Sequence, residues 1–307
     1  MRATTRLLVA CATAASVHFP APARAQFNDP RSYENTAVGT NQLELSYVYV
    51  HGTASIDPSL VVAGASLNLS QVTIDYTRYF GLLGHAMWVE AALPVAGLGG
   101  SIDGTNIHGL TTGTGDSSYA IATLFKGGQA LSAEQFDDYK PGTTFGASVT
   151  ITAPTGSYRS DSLLNLGSDR WSFKPEIALS YPFGREQQWQ IDAYANVYFY
   201  TDNTTYRGRE VLRQEPLPGL EGHISYAFSD NLWVALDTRY SFRGSTSVDD
   251  VSQDDSQRNF ILGSEMSLAL NPRHSLVFEV AKAVAHVNGP AFVGFAVKYD
   301  YTWNKRQ

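Results

Sequence analysis

Ionisable side chains recur at alternate positions of long apolar–polar stretches: Glu90, Lys174, Glu176, Asp192, Glu221, His223, Asp237, Arg239 and Glu265. A strand sends alternate side chains to opposite faces, so these nine share the face that the apolar residues avoid. Two chemistries suit such a set. Buried carboxylates and cations need partners, so the groups can pair into hydrogen-bonded networks that brace a wall. A ring of charges around an aqueous passage would instead select ions or polar solutes. Tyr194, Tyr198 and Tyr200 lie on the same face of one segment. They offer an aromatic ladder for planar solutes, or simply volume.

Other candidate chemistries are thinly supported. A barrel lipid hydrolase needs a Ser and a His together on the outer surface. Ser264 falls on the outward phase with no His near it, while His223 and Ser225 fall on the inward one. The stretch Gly97 to Gly115 is Gly-rich but opens no helix, so it is no phosphate cradle. Asp249-Asp250-Val251-Ser252-Gln253-Asp254-Asp255 lacks the spacing of a calcium loop. The seven His show no metal-ligand spacing. No cofactor or metal is expected.

The elements that position the inward groups are strands. Twelve alternating segments span 41–51, 66–79, 86–96, 115–126, 143–153, 171–181, 188–200, 216–228, 231–242, 259–270, 274–286 and 291–303. The last is the clearest, with Val293, Phe295, Val297, Tyr299, Tyr301 and Trp303 on one face. Globular strands average about 5–6 residues, whereas a tilted membrane strand needs about 9–11. Fifteen of the seventeen charged residues in these spans, Lys126 among them, take the inward phase; Arg78 and Lys282 do not. Both exceptions lie near strand ends, where a long side chain reaches the interface.

Connections alternate between short turns and longer loops, the arrangement of outer-membrane barrels. The long ones are 52–65, 97–114, 154–170, 201–215 and 243–258. Two connections break the rule. Residues 127–142 are long where a turn is due, with a helical turn at Leu131 to Phe136, and 287–290 is short. In lipid every backbone polar group needs a partner, and only a closed sheet gives strands that. The fold expected is all-β: a transmembrane antiparallel up-and-down β-barrel of about 12 strands. Trp88, Trp171, Trp189, Tyr226, Tyr301 and Trp303 suit its interfacial girdles. A large soluble β-sandwich explains the alternation but not the strand length or the loop asymmetry.

Composition agrees. Charged residues make up 17% of the 307, aromatics 12%, and the net charge is -7. An acidic chain excludes a nucleic-acid partner, because phosphate calls for a basic face. The N-terminus reads as a signal peptide over 1–25, with Arg2 and Arg6 basic, an apolar stretch from Leu7 to Val17, and Ala23-Arg24-Ala25 as the cleavage site. Cleavage after Ala25 removes Cys11, the single cysteine. Residues 26–40 are expected as a periplasmic N-terminal segment and 41–307 as the barrel. The expected partners are outer-membrane lipid and lipopolysaccharide, and the barrel-assembly machinery during biogenesis.

Residues 153–175 include Pro154-Thr155-Gly156-Ser157-Tyr158 and then Asn165-Leu166-Gly167-Ser168-Asp169-Arg170-Trp171-Ser172-Phe173-Lys174-Pro175. They resemble the outer-membrane transporter family named for the MetA pathway of phenol degradation. That family shows a Pro-Thr-Gly-x-Tyr turn and an Asn-x-Gly-x-Asn-Arg-Trp-x-Phe-x-Pro stretch, and Asp169 stands here where Asn is usual. Tyr79-Phe80-Gly81 through Leu93-Pro94 is similar too. The resemblance implies a barrel and the uptake of small hydrophobic or aromatic solutes. Within the motif, Pro154 and Gly156 are expected to turn the chain, and Trp171 to anchor strand six. Arg170 and Asn165 would bond lumen carboxylates, drawing loop 154–170 inward as a gate. A simpler role is to lock a β-corner. A structural or surface-interaction barrel with a closed lumen is the alternative to a channel. Twelve strands lie between the filled interior of about eight and the open channel of about sixteen, so a narrow, constricted passage is expected.

Overall fold

The computed structural model describes residues 17–18, 28–53, 65–102, 108–136, 138–162, 164–289 and 291–304. The expected signal peptide, apart from Val17 and His18, and its cleavage point lie outside these, as does the middle of connection 52–65. Twelve strands form one closed antiparallel barrel. They are β1 (Thr40–Thr53), β2 (Ala65–Leu82), β3 (His85–Ile102), β4 (Ser117–Lys126), β5 (Thr144–Ala153) and β6 (Ser172–Phe183). Then follow β7 (Trp189–Tyr200), β8 (Leu217–Ser229), β9 (Leu232–Arg243), β10 (Gln257–Asn271), β11 (His274–Val287) and β12 (Ala291–Asn304). Each pairs with its neighbour in sequence. The ring closes where β12 pairs with β1, from Ala291–Thr53 to Asn304–Thr40.

Alternation becomes two surfaces. Leu45, Ile74, Leu93, Ile177, Leu220, Leu236, Val280 and Phe295 are exposed on the outside. Their neighbours Glu44, Asp75, Glu176, Glu221, Asp237 and Ala296 are buried within. This is the reverse of a soluble protein, and it fits a hydrocarbon surrounding. Among the described residues no helix is long and apolar enough to cross a membrane, so any crossing is made by strands.

Several expectations need correction. The 97–114 loop is mostly strand: β3 continues to Ile102 and pairs with His108–Thr114. The change of partner falls at Pro94, which follows the last β3–β4 pair, Ala92–Ser118, and precedes Val95–Thr114. Proline has no N–H to give a ladder, so it sits where one ladder ends and another begins. The 201–215 and 243–258 loops also fold, into a four-stranded sheet of Asn203–Tyr206, Glu210–Gln214, Thr246–Val248 and Val251–Ser252. Tyr206, Leu212 and Val248 form its small core. Trp88 is no girdle residue but is buried inside. Lys126 is not inward: a bulge between Leu124 and Lys126 turns it over the Phe145 ring, 5.1 Å from the centroid. The helical turn is present as α1 (Ala133–Phe136).

The outward face generates a prediction. Ile177 stands mid-strand on β6 and is 64% exposed. Ile177→Arg is expected to destabilise the barrel by about 2–4 kcal/mol, read by urea unfolding in lipid vesicles. No loss of stability would contradict a lipid-facing position.

Candidate channel lumen

The nine candidate groups, Glu90 to Glu265, come together in the lumen, and most pair. Arg239 on β9 donates to Glu221 on β8 at 2.9 Å. His223 on β8 meets Asp237 on β9 at 2.7 Å. Lys174 lies 3.6 Å from Glu176 on β6. Asn196 on β7 donates to both Glu176 (3.1 Å) and Glu221 (2.9 Å), linking the two pairs across three strands. Asp192 accepts from Ser180 and Gln190. Glu265 lies 3.4 Å from Lys298 on β12, and Glu279 on β11 lies 3.1 Å from the same ammonium. Register explains the pairs: Glu221 is the cross-strand partner of Arg239, and His223 of Asp237. These buried pairs form a bracing network.

The N-terminal segment enters the lumen. Residues 28–39 lie inside the barrel at the end that carries the short turns, and Gly39, at φ +89°, returns the chain into β1. Asn28 donates its backbone N–H to Glu221 at 2.8 Å and its side-chain amide to Glu176, and it accepts from Lys174 at 3.1 Å. Asp29 accepts from Lys298 at 2.6 Å. Arg31 donates its backbone N–H to Asp192 at 3.1 Å and Nε–H to Ser225 at 3.0 Å. Its guanidinium lies 5.3 Å from the Trp233 ring centroid. The Tyr33 hydroxyl donates to Glu176 at 2.8 Å and lies 2.8 Å from Ser148 Oγ. Burial holds the Tyr33 phenol well above the ordinary tyrosine range, and the charge of Glu176 adds to this, so it stays a donor.

Between this segment and the wall is a cavity of about 110 Å³. Tyr33, Trp88, Tyr198, Glu90, Lys174 and Glu176 border it, together with hydroxyl groups of Thr73, Ser118, Ser148, Thr150 and Thr152. It combines aromatic rings with closely spaced polar groups, as small-molecule sites do. Tyr194 lies against Tyr33 at 5.3 Å and His223 at 5.1 Å, so it fills volume below the cavity. Tyr198 and Tyr200 stack at 6.3 Å.

The motif loop folds inward, but its fastening differs from expectation. Asn165 bonds within the loop, accepting from Arg159 N and donating to the carbonyls of Arg159 and Ser162. Arg170 donates to Gln214 at 2.6 Å and covers the Tyr200 ring at 4.3 Å. The organising carboxylate is Asp116, 1% exposed, which accepts from Gly156 N, Ser168 N and Ser168 Oγ. Thr155 Oγ1 accepts from Ser117 N. Pro154 immediately follows β5, and Asn203 donates to the Tyr158 hydroxyl. A Cβ on Gly156 would lie 2.7 Å from Gly167 Cα, so the two glycines let the loop's halves touch. Leu166 is buried with Leu69, Ala96 and Leu98 on the lumen side of β2 and β3. Trp171 is exposed at the start of β6. Ser264 donates to the Ala235 carbonyl and is not brought near His223.

Sequence reasoning missed Asn28, Asp29, Arg31 and Tyr33, and did not connect Asp116 to the motif. The segment has no apolar alternation to reveal where it goes. Its mixture of donors and a ring matched to a carboxylate-rich wall was the available signal.

The fold and site define a transmembrane β-barrel with a charge-braced lumen that holds residues 28–39. The family described as "Putative MetA-pathway of phenol degradation" matches residues 52–299, and the chain belongs to it. Among solved structures, the chain is similar to the COG4313 outer membrane channel from Pseudomonas putida F1, at 21% identity and TM-score 0.78, covering 90% of this chain and 100% of that one. It also resembles the β domain of the Bordetella autotransporter BrkA (12% identity, TM-score 0.53, covering 86% and 100%). The transport unit of the Escherichia coli autotransporter AIDA-I is similar as well (7% identity, TM-score 0.53, covering 91% and 94%). No curated protein matches the sequence.

Two outcomes test this geometry. Glu176→Gln weakens the hold on Asn28, Tyr33 and Lys174 together, so tryptic cleavage after Arg31 in the native barrel should rise several-fold; unchanged cleavage would rule out Glu176 as an anchor. Gly156→Ala should cost about 1–3 kcal/mol through the forced contact with Gly167. It should speed cleavage after Arg159, whereas Gly142→Ala, which meets nothing within 4 Å, should not.

Proposed function

We propose that the protein is an outer-membrane channel for passive uptake of small hydrophobic or aromatic, phenol-like compounds. The observation that carries this reading is the cavity of about 110 Å³, with aromatic rings beside hydroxyl and charged groups, enclosed by a lipid-facing barrel. Its scale is on the order of a single aromatic ring, given that a cavity of about 150 Å³ takes benzene. Membership of a family named for phenol degradation and likeness to a protein titled an outer membrane channel support it. Among the described buried residues, the carboxylates Glu44, Asp75, Glu176, Asp192, Glu221, Asp237, Glu265 and Asp300 outnumber the fixed cations Arg170, Lys174, Arg239 and Lys298. Such a lumen disfavours anions and admits neutral solutes. No catalytic group is assigned, and the partners are the outer-membrane lipid and lipopolysaccharide around the barrel, the assembly machinery that inserts it, and the solute. Export by the N-terminal leader, cleaved after Ala25, belongs to the same reading.

The sealed structural barrel is the second reading, favoured by the lodged segment 28–39. Planar-bilayer recording separates the two. A channel gives small, cation-preferring conductance that rises when residues 26–39 are removed. A chain silent with and without those residues would be the sealed barrel. For the solute, deletion of the gene should slow growth on a dilute aromatic carbon source, with recovery on re-expression. Undiminished growth would remove the aromatic assignment.

A further inference from the structure

Tyr33 carries a phenol into a shaped slot. The ring is 3% exposed. It meets the edge of Trp88 at 5.4 Å and 68°, and Tyr194 at 5.3 Å and 53°. Ala86, Ala122, Leu124 and Ala178 complete the surround. Gly146 makes the space: a Cβ there would fall 2.5 Å from the ring. At the far end the hydroxyl meets Glu176 and Ser148, each at 2.8 Å. Trp88, Ser148 and Glu176 also border the cavity, so a solute held there stands beside the slot.

The Tyr33 side chain is chemically p-cresol attached to the backbone. We propose that its slot is a binding site for a free monohydric phenol, which enters through the cavity, takes the place of Tyr33 and releases the inserted segment. The inference rests on the channel reading and names both the solute and the event that opens the lumen. The small residues admit a flat ring, and the aromatic neighbours favour one through edge contacts. Glu176, 3% exposed, keeps Asn196 and Lys174 on its Oε2 but loses both Tyr33 and Asn28 from Oε1 when the segment leaves, so a ring without a hydroxyl leaves that oxygen with fewer donors than a phenol does. A ligand moves such an equilibrium only through its differential affinity for the two states. That condition is met, because the slot accepts a phenol only when Tyr33 is out. A short tether gives Tyr33 an effective concentration of about millimolar, so free phenols should compete in about that range.

The test uses the full mature chain in planar bilayers, with p-cresol, toluene and cyclohexanol as probes. p-Cresol at about millimolar concentration should raise conductance several-fold. Toluene, which lacks the hydroxyl, and cyclohexanol, which lacks the aromatic face, should do much less. Tyr33→Ala should raise resting conductance and abolish the p-cresol increment. It should also retain p-cresol binding by saturation-transfer NMR, since the slot is then vacant. Equal responses to p-cresol and toluene in the unmodified chain would overturn the proposal, and that comparison stands even if Tyr33→Ala does not fold. A folded Tyr33→Ala that binds no p-cresol would overturn it too. If the chain lacking residues 26–39 conducts while p-cresol is inert, the phenol site falls and the channel reading stands. If that shortened chain is silent as well, both fall.

Discussion

Backbone hydrogen bonding in hydrocarbon governs the whole molecule. No water reaches the lipid-facing strands, so each N–H and C=O must find a neighbouring strand, and an edge is not tolerated. The unbroken ladder between β12 and β1 is the consequence, joining the last strand to the first along its full length. Closure then forces the alternation to become an inside and an outside. Ile177 faces out and Glu176 faces in because they are neighbours on one strand, and nothing else need be specified.

The interior inherits a second problem. Side chains kept from lipid are also kept from most water, so each carboxylate there needs donors. Cross-strand register supplies Arg239 to Glu221 and His223 to Asp237. What the wall lacks, residues 28–39 bring: backbone N–H groups from Asn28 and Arg31, a phenolic hydroxyl from Tyr33, and a carboxylate from Asp29 for Lys298. Wall and segment are chemical complements, and the same bonds that satisfy the wall hold the segment in the lower lumen.

Much of the barrel was legible because its signals are local and periodic. The alternation of Leu43, Leu45, Tyr47 and Tyr49 needs only two-residue spacing to be read, and the inward phase of Glu176, Asp192, Glu221 and Asp237 followed from it. Bulges were not legible: the one beside Lys126 inverts its face without any change in composition. Trp88 was misassigned to a girdle on residue type, although its position between outward Met87 and Val89 pointed inward. The loop strands escaped notice because Asn203–Tyr206 and Thr246–Val248 are too short to show a period. The path of residues 28–39 was invisible for a deeper reason. It depends on contacts more than a hundred residues apart, such as Asn28 with Glu221, and on no pattern within the segment itself.

The count of strands explains why a segment is needed inside at all. Around eight strands let wall side chains meet across the axis, while around sixteen leave a water-filled passage. At twelve, the wall's own groups pair mainly with strand neighbours, as Lys174 does with Glu176, and leave the centre for something else. A tethered segment fills that space at low entropic cost, because Gly39 holds it at the mouth. Its contacts are hydrogen bonds and charge pairs from Asn28, Asp29 and Arg31, together with the deeply seated ring of Tyr33.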